Sequence, residues 1–210
     1  MYKAIKTRQC LICHQSLNQE TSLFSYLYHP SLCQRCIQQF KVIDQKITLQ
    51  KYPLHILYQY NDFFRKNLYQ YKALDDYALK DAFLNSFPDL KRKYREYVVA
   101  IIPSSNEDNA RRGFCPNEEI ARTFSNHIFS GLYKSKNYKQ TKQADRALIK
   151  KVLKIENGYL LENQRVLIFD DVMTSSNTLQ AAISLIESCH PKSIEILVLA
   201  CPYIQRFLNK

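Results

Sequence analysis

Residues 165–182, RVLIFDDVMTSSNTLQAA, constrain this chain more than any other stretch of it. Val166, Leu167, Ile168 and Phe169 form an apolar run, short and β-rich enough for a buried strand. Asp170 and Asp171 follow at once, and then a hydroxyl- and amide-rich turn, Thr174, Ser175, Ser176, Asn177 and Thr178. Beyond the turn Leu179, Ala182, Ile183 and Ile186 share one face of a helix. Asn177 with Gln180 three residues later reads as a capping box, so the helix is expected to start there. Strand, acidic pair, polar turn and helix start together make an anion site. The free N–H groups of a first helical turn and the positive end of its dipole favour a phosphate. The two aspartates bring the oxygens that sugar hydroxyls, or a Mg²⁺ that keeps its waters, would require.

The rest of the composition narrows what such a site can serve. Glycine is scarce, at three residues (Gly113, Gly131 and Gly158), which excludes the clustered glycines of a P-loop or a dinucleotide fingerprint. Thirty basic residues stand against 19 acidic ones, a formal net charge of +11. That balance points to a polyanion or a phosphorylated substrate as partner. No apolar run approaches the length of a membrane-spanning helix, and the first residues, MYKAIKTRQC, lack a signal-peptide core. A cytosolic location, peripheral to a membrane machine, is the expectation.

Four of the seven cysteines are paired in sequence: Cys10, Cys13, Cys33 and Cys36 form C-x2-C-x19-C-x2-C. Each C-x2-C turns tightly enough to offer two sulfurs to one tetrahedral ion, the spacing of a four-thiolate zinc site. Disulfides are the alternative, and a cytosolic setting favours the metal over them. Residues 1–40 are therefore expected to be a zinc module, with Leu11, Leu23, Phe24 and Phe40 as its apolar contacts, and residues 41–210 a second domain. So small a module has little core of its own, and metal binding would supply much of its folding free energy.

Along that second domain, residues 41–60 have strand character, with apolar alternation at 54, 56, 58 and 60. Phe64, Leu68 and Tyr71 keep helical spacing, and Leu79, Ala82, Phe83 and Phe87 do so again before Pro88. Residues 97–102 read as a buried strand, and SSNEDNARRGF after it as a loop carrying Arg111 and Arg112. Pro116 opens a helix with Ile120, Phe124 and Ile128 on one face and Gly131 beyond its end. Residues 134–154 hold eight basic side chains and one acid, Asp145. Residues 194–200 close the pattern as another strand. Alternating strands and helices predict an α/β parallel sheet, with ligands beyond the carboxyl ends of its strands. Residues 104–113 and 170–178 would both lie there.

An apolar strand, an acidic pair and a Thr/Ser-rich loop resemble the signature of type I phosphoribosyltransferases, with Ser176 where that family usually has glycine. The resemblance implies that Asp170 and Asp171 hold the ribose hydroxyls of phosphoribosyl pyrophosphate, and that Thr174, Ser175, Ser176, Asn177 and Thr178 hold its 5′-phosphate. The whole set of motifs is similar to the ComF/ComFC family of late competence proteins. It includes both C-x2-C pairs, a helix ending near Tyr71-Lys72, and Arg112-Gly113-Phe114 for the family's R-G-F-N-Q, with Cys115-Pro116 replacing Asn-Gln. Thr141, Lys142, Gln143 and Arg146 match its T-x-Q…R segment. That likeness implies a role in natural transformation: handling incoming single-stranded DNA in the cytosol beside an ATP-driven translocase, ComFA. The residues themselves add a basic flank, Arg111, Arg112, Lys142, Arg146, Lys150 and Lys151, around the phosphate pocket. The competing expectation is a nucleotide-salvage phosphoribosyltransferase, in which Mg²⁺ and basic groups would stabilise a pyrophosphate leaving group. A redox sensor is a third, against which the four-thiolate spacing argues.

Overall fold

The computed structural model of the chain describes residues 8–17, 31–104, 106–135 and 152–208. Its body is a six-stranded sheet. Strand β1 (Val42–Leu49) pairs antiparallel with β2 (Tyr52–Gln59), and β2 lies parallel to β8 (Ser193–Cys201). The order then runs through β7 (Arg165–Val172) and β3 (Tyr97–Ile101) to the two-residue β4 (Ile128–Phe129), all parallel. A separate antiparallel pair joins β5 (Leu132–Lys134) to β6 (Leu153–Ile155).

The apolar runs become central strands because both of their faces are covered. On β7, Leu167 and Phe169 join one core while Val166 and Ile168 join the other. On β8, Leu197 and Leu199 divide from Ile196 and Val198 in the same period-two way. The first core is closed by Phe64, Leu68 and Tyr71 of α2 (Asp62–Ala73) and by Ile120 and Ala121 of α5 (Pro116–Arg122). The second is closed by Leu179, Ala182, Ile183 and Ile186 of α6 (Asn177–Glu187), the stripe expected from the sequence.

The N-terminal cysteines are tied to this body. Cys10, Leu32, Cys33, Cys36 and Phe40 belong to the first core, with Cys36 on α1 (Gln34–Gln39). Phe40 anchors them, its ring edge-on to Phe63 at 5.1 Å and to Phe83 at 6.1 Å. Leu11 also packs there, whereas Leu23 and Phe24 lie outside the described residues.

Several expectations need correction. The helix expected around residues 79–87 is a 3₁₀ turn, Tyr77–Ala82, followed by turns and the single-turn α3 (Leu90–Lys93). The residues expected as a loop after β3 contain α4 (Asn106–Arg112), with Glu107 and Asp108 in its first turn and Arg111 and Arg112 in its last. Those charges complement the helix dipole, and Gly113, at φ +77°, takes the left-handed conformation that ends it. Finally, α5 stops at Arg122, so Ile128 opens β4 instead of continuing a helical face. Gly131 lies between β4 and β5; a Cβ there would stand 2.4 Å from the Glu156 carbonyl oxygen, so close backbone approach requires glycine.

Candidate functional site

The carboxyl end of β7 carries the acidic pair, and its backbone folds each side chain back on the strand. The Asp171 N–H donates to Asp170 Oδ1 at 2.9 Å, and the Val172 N–H donates to Asp171 Oδ1 at 2.9 Å. Two neighbouring helices then treat the two carboxyls differently. From α2, the Lys72 ammonium donates to Asp171 Oδ2. From α5, Asn117 Nδ2 donates to Asp170 Oδ1 at 3.0 Å and to the Ile102 carbonyl at 3.1 Å, bridging the ends of β3 and β7.

The protonation states diverge accordingly. Burial, reinforced by the negative charge of Asp171, pushes the Asp170 carboxyl up to about 8. Burial works against ionisation of Asp171 too, but the Lys72 ammonium outweighs it and holds that carboxyl below its ordinary value. Lys72 is itself raised, since Asp171 more than offsets its own desolvation. At neutral pH the pair therefore presents one carboxylate, already matched by one ammonium. Lys134 of β5 adds a further cation whose burial lowers its pKa despite the pull of Asp170.

The loop after β7 leads straight into α6. Met173 is buried and donates its N–H to the Ala200 carbonyl at 3.0 Å, while Thr174 and Ser175 are exposed. The helix does start at Asn177, but its cap is Ser176, so the expected Asn177–Gln180 capping box does not form. Instead the Gln180 N–H bonds the Ser176 carbonyl, and Gln180 Nε2 donates to Ser176 Oγ, both at 2.8 Å. Ser176 sits at φ −78°, and neither it nor Asn177 takes a positive φ, so serine at the glycine position carries no backbone strain. The Ser176 side chain does not cap the helix, which leaves its leading N–H groups to whatever occupies the turn.

Of the six basic residues expected to flank the pocket, two are described. Arg111 is exposed and pairs with Asp75 at 3.0 Å. Arg112 points inward, its side chain only 9% exposed, and its Nε donates to the Lys72 carbonyl. That bond caps the last turn of α2 with a cation and fixes the backbone from which Lys72 reaches Asp171. Lys142, Arg146, Lys150 and Lys151 lie outside the described residues.

Sequence reasoning missed Lys72 and Asn117 as members of this site. Lys72 is 99 residues from its partner and Asn117 is 53 residues from Asp170, separations that no local periodicity reports. The one available signal for Asn117 was its place in the first turn after Pro116.

A second constellation lies at the N-terminus. The sulfurs of Cys10, Cys13, Cys33 and Cys36 all fall within 4.8 Å of one another, with Cys13 and Cys33 at 3.6 Å. A tetrahedral metal with sulfur ligands at about 2.3 Å sets its sulfurs about 3.8 Å apart, so the four cysteines fit one ion. Cys33 caps α1, and a backbone bond from the Leu11 N–H to the Ser31 carbonyl, 3.0 Å, ties the two knuckles together. Desolvation raises the Cys10 thiol, but backbone N–H groups of Cys13, Cys33 and Ile12 outweigh it and bring it down to about 7. Burial pushes the Cys33 and Cys36 thiols up instead, so of these three Cys10 surrenders its proton to a metal most readily.

The chain is similar to known proteins over most of its length. Residues 110–206 match the family described as "Phosphoribosyl transferase domain". Competence protein ComFC of Bacillus subtilis (strain 168) is 25% identical over 176 residues, covering 80% of this chain and 72% of the relative. Competence protein ComFC of Streptococcus pneumoniae is 23% identical over 141 residues, 66% of this chain and 64% of the relative. Among solved structures, a hypoxanthine phosphoribosyltransferase from Staphylococcus aureus matches 59% of this chain and 62% of its own, at 18% identity and a TM-score of 0.38.

Proposed function

For a chain that is a distant member of the ComFC competence-protein family, built on a phosphoribosyltransferase domain, we propose a role in natural transformation. In this reading the protein binds incoming single-stranded DNA in the cytosol, beside the membrane uptake machinery and its ATP-driven translocase ComFA. Its pocket takes phosphoribosyl pyrophosphate or a related sugar phosphate. Asp170 and Asp171 face the ribose, and the turn from Thr174 to Thr178 receives the 5′-phosphate at the start of α6. Arg111, Lys142, Arg146, Lys150 and Lys151 meet the DNA backbone, with Arg112 held inside as the support of Lys72. The four-cysteine cluster takes zinc, which as a structural ion would lock the N-terminal knuckles onto Phe40 and the first core. Mg²⁺ enters with the pyrophosphate of the ligand.

The observation that carries the pocket reading is a buried acidic pair, one carboxyl bonded by Lys72 and the other by Asn117, directly ahead of a helix start whose cap residue Ser176 makes no side-chain bond to it. Calorimetry of the zinc-loaded protein tests it. Phosphoribosyl pyrophosphate should bind the wild type and fail to bind Asp170→Asn/Asp171→Asn, while single-stranded DNA binds both. Unchanged ligand binding in the double variant would remove the pocket assignment. The domain match also supports a second reading, a salvage phosphoribosyltransferase. Pyrophosphate released from the ligand on addition of a purine or pyrimidine base would favour that enzyme; under the present reading little or none is released.

A further inference from the structure

Resting on the reading of the pocket as a sugar-phosphate site, a sharper question is what balances its acidic pair. A divalent cation at such a pair needs oxygens that are ionised and open to it. Both oxygens of Asp171 already have a donor: Oδ1 accepts the Val172 N–H and Oδ2 accepts the Lys72 ammonium. Asp171 is 6% exposed, and the Lys72 side chain is itself three-quarters covered, so this ion pair is interior to the site. Asp170 Oδ1 accepts from Asn117 Nδ2 and from the Asp171 N–H, which leaves Oδ2 of a carboxyl that burial and the Asp171 charge keep from ionising readily. A metal bridging both carboxyls would have to displace the ammonium from Asp171 Oδ2, leaving a buried positive charge with no partner, which is strongly unfavourable.

Two further features point the same way. Arg112 Nε holds the Lys72 carbonyl at the last turn of α2, fixing the backbone from which the ammonium reaches Asp171. And Asn117, 2% exposed, uses both Nδ2 contacts while its Oδ1 has no hydrogen-bond partner among the described residues. A buried amide oxygen without a donor is costly unless a ligand supplies one. A sugar hydroxyl beside Asp170 has the donor it lacks.

We propose that Lys72 is the resident counter-cation of the Asp170–Asp171 pair, so that the pocket holds the ribose of its ligand with no divalent metal at the aspartates. The protein has built into one side chain the charge that a metal would otherwise bring. Lys72→Met should then create a vacancy that a metal can fill.

The test uses ribose 5-phosphate, which has no pyrophosphate to carry its own Mg²⁺, titrated calorimetrically into the full chain with EDTA or with millimolar Mg²⁺. Wild type should bind it equally in both conditions. Lys72→Met should lose roughly 10- to 100-fold in EDTA, the scale of a lost charged hydrogen bond, and recover with Mg²⁺. Lys72→Arg should keep metal-free binding. Wild-type binding that appears only with Mg²⁺ would overturn this inference and leave the sugar-phosphate reading intact. Wild-type binding in neither condition would overturn both. Should Lys72→Met fail to fold, by circular dichroism, the wild-type comparison and Lys72→Arg still decide the matter.

Discussion

Asp170 and Asp171 are adjacent and chemically identical, yet the fold sets them in opposite states. The difference comes from Lys72, whose ammonium meets Asp171 and leaves Asp170 to its burial and to the neighbouring Asp171 charge. This has a consequence for stability that can be signed. Asp170 titrates near 8 in the folded chain, against an ordinary value of 3.8, so the folded state binds its proton more tightly than the unfolded state does. Its contribution is therefore complete below about pH 4 and is lost progressively as the pH rises towards 8. Asp170→Asn mimics the protonated form and removes the titration. The variant should melt close to wild type near pH 4, gain on it with rising pH, and level off above pH 8. Thermal melts of ligand-free protein across that range provide the check. A gap that is constant with pH would mean that Asp170 is ionised in the folded chain.

At the level of elements, what could be read from the sequence was whatever is written locally. The buried strands of residues 166–169 and 194–200 and the stripe of α6 follow from periodicity, and the structure forms them as β7, β8 and α6. The cysteine spacing likewise gave a cluster whose sulfurs fit one ion. What escaped was tertiary. Lys72 and Asn117 look like ordinary polar positions on helices until α2 and α5 are laid against the end of β7. The helix α4 was hidden for another reason: its polar composition reads as a loop, although its acidic start, basic end and terminal glycine spell a helix. The cysteine module, expected to have little core of its own, shares one: Cys10, Cys33 and Cys36 pack into the first core with Phe40. Loss of metal should then be felt beyond residues 1–40. Wild type should hold one zinc per chain, and Cys13→Ser and Cys36→Ser should both lose it. Cys36 is buried where Cys13 is exposed, so Cys36→Ser should melt lower, each kcal/mol lost costing roughly 2–4 °C. Metal analysis with melting curves tests this, and stoichiometric zinc in the quadruple serine variant would end the assignment.

For the molecule as a whole, the distribution of charge separates two kinds of anion binding. The chain bears a net charge of +11, and eight of its basic residues fall within residues 134–154. The acidic pair, by contrast, is close to internal balance, since Lys72 meets the Asp171 carboxylate while Asp170 is held from ionising readily. Binding of single-stranded DNA through a basic stretch releases counterions, so its affinity should fall with salt, by about 0.7 in log–log slope for each phosphate contacted. A single ribose phosphate held by backbone N–H groups and a buried polar pair releases few counterions, and its affinity should change far less. The two sites should accordingly respond to different substitutions. Replacing Lys142, Arg146, Lys150 and Lys151 by glutamine should flatten the DNA salt slope by about 0.7 for each contact removed, and leave ribose 5-phosphate affinity within about twofold. Asp170→Asn/Asp171→Asn should do the reverse, abolishing ribose 5-phosphate binding and preserving the DNA slope. Fluorescence anisotropy with a labelled oligonucleotide at several salt concentrations, alongside calorimetry with the sugar phosphate, measures both. If the glutamine variant kept the wild-type slope, the DNA would have to be held elsewhere on the surface. If it lost the sugar phosphate as well, the basic stretch would be part of the pocket and the two functions would be one.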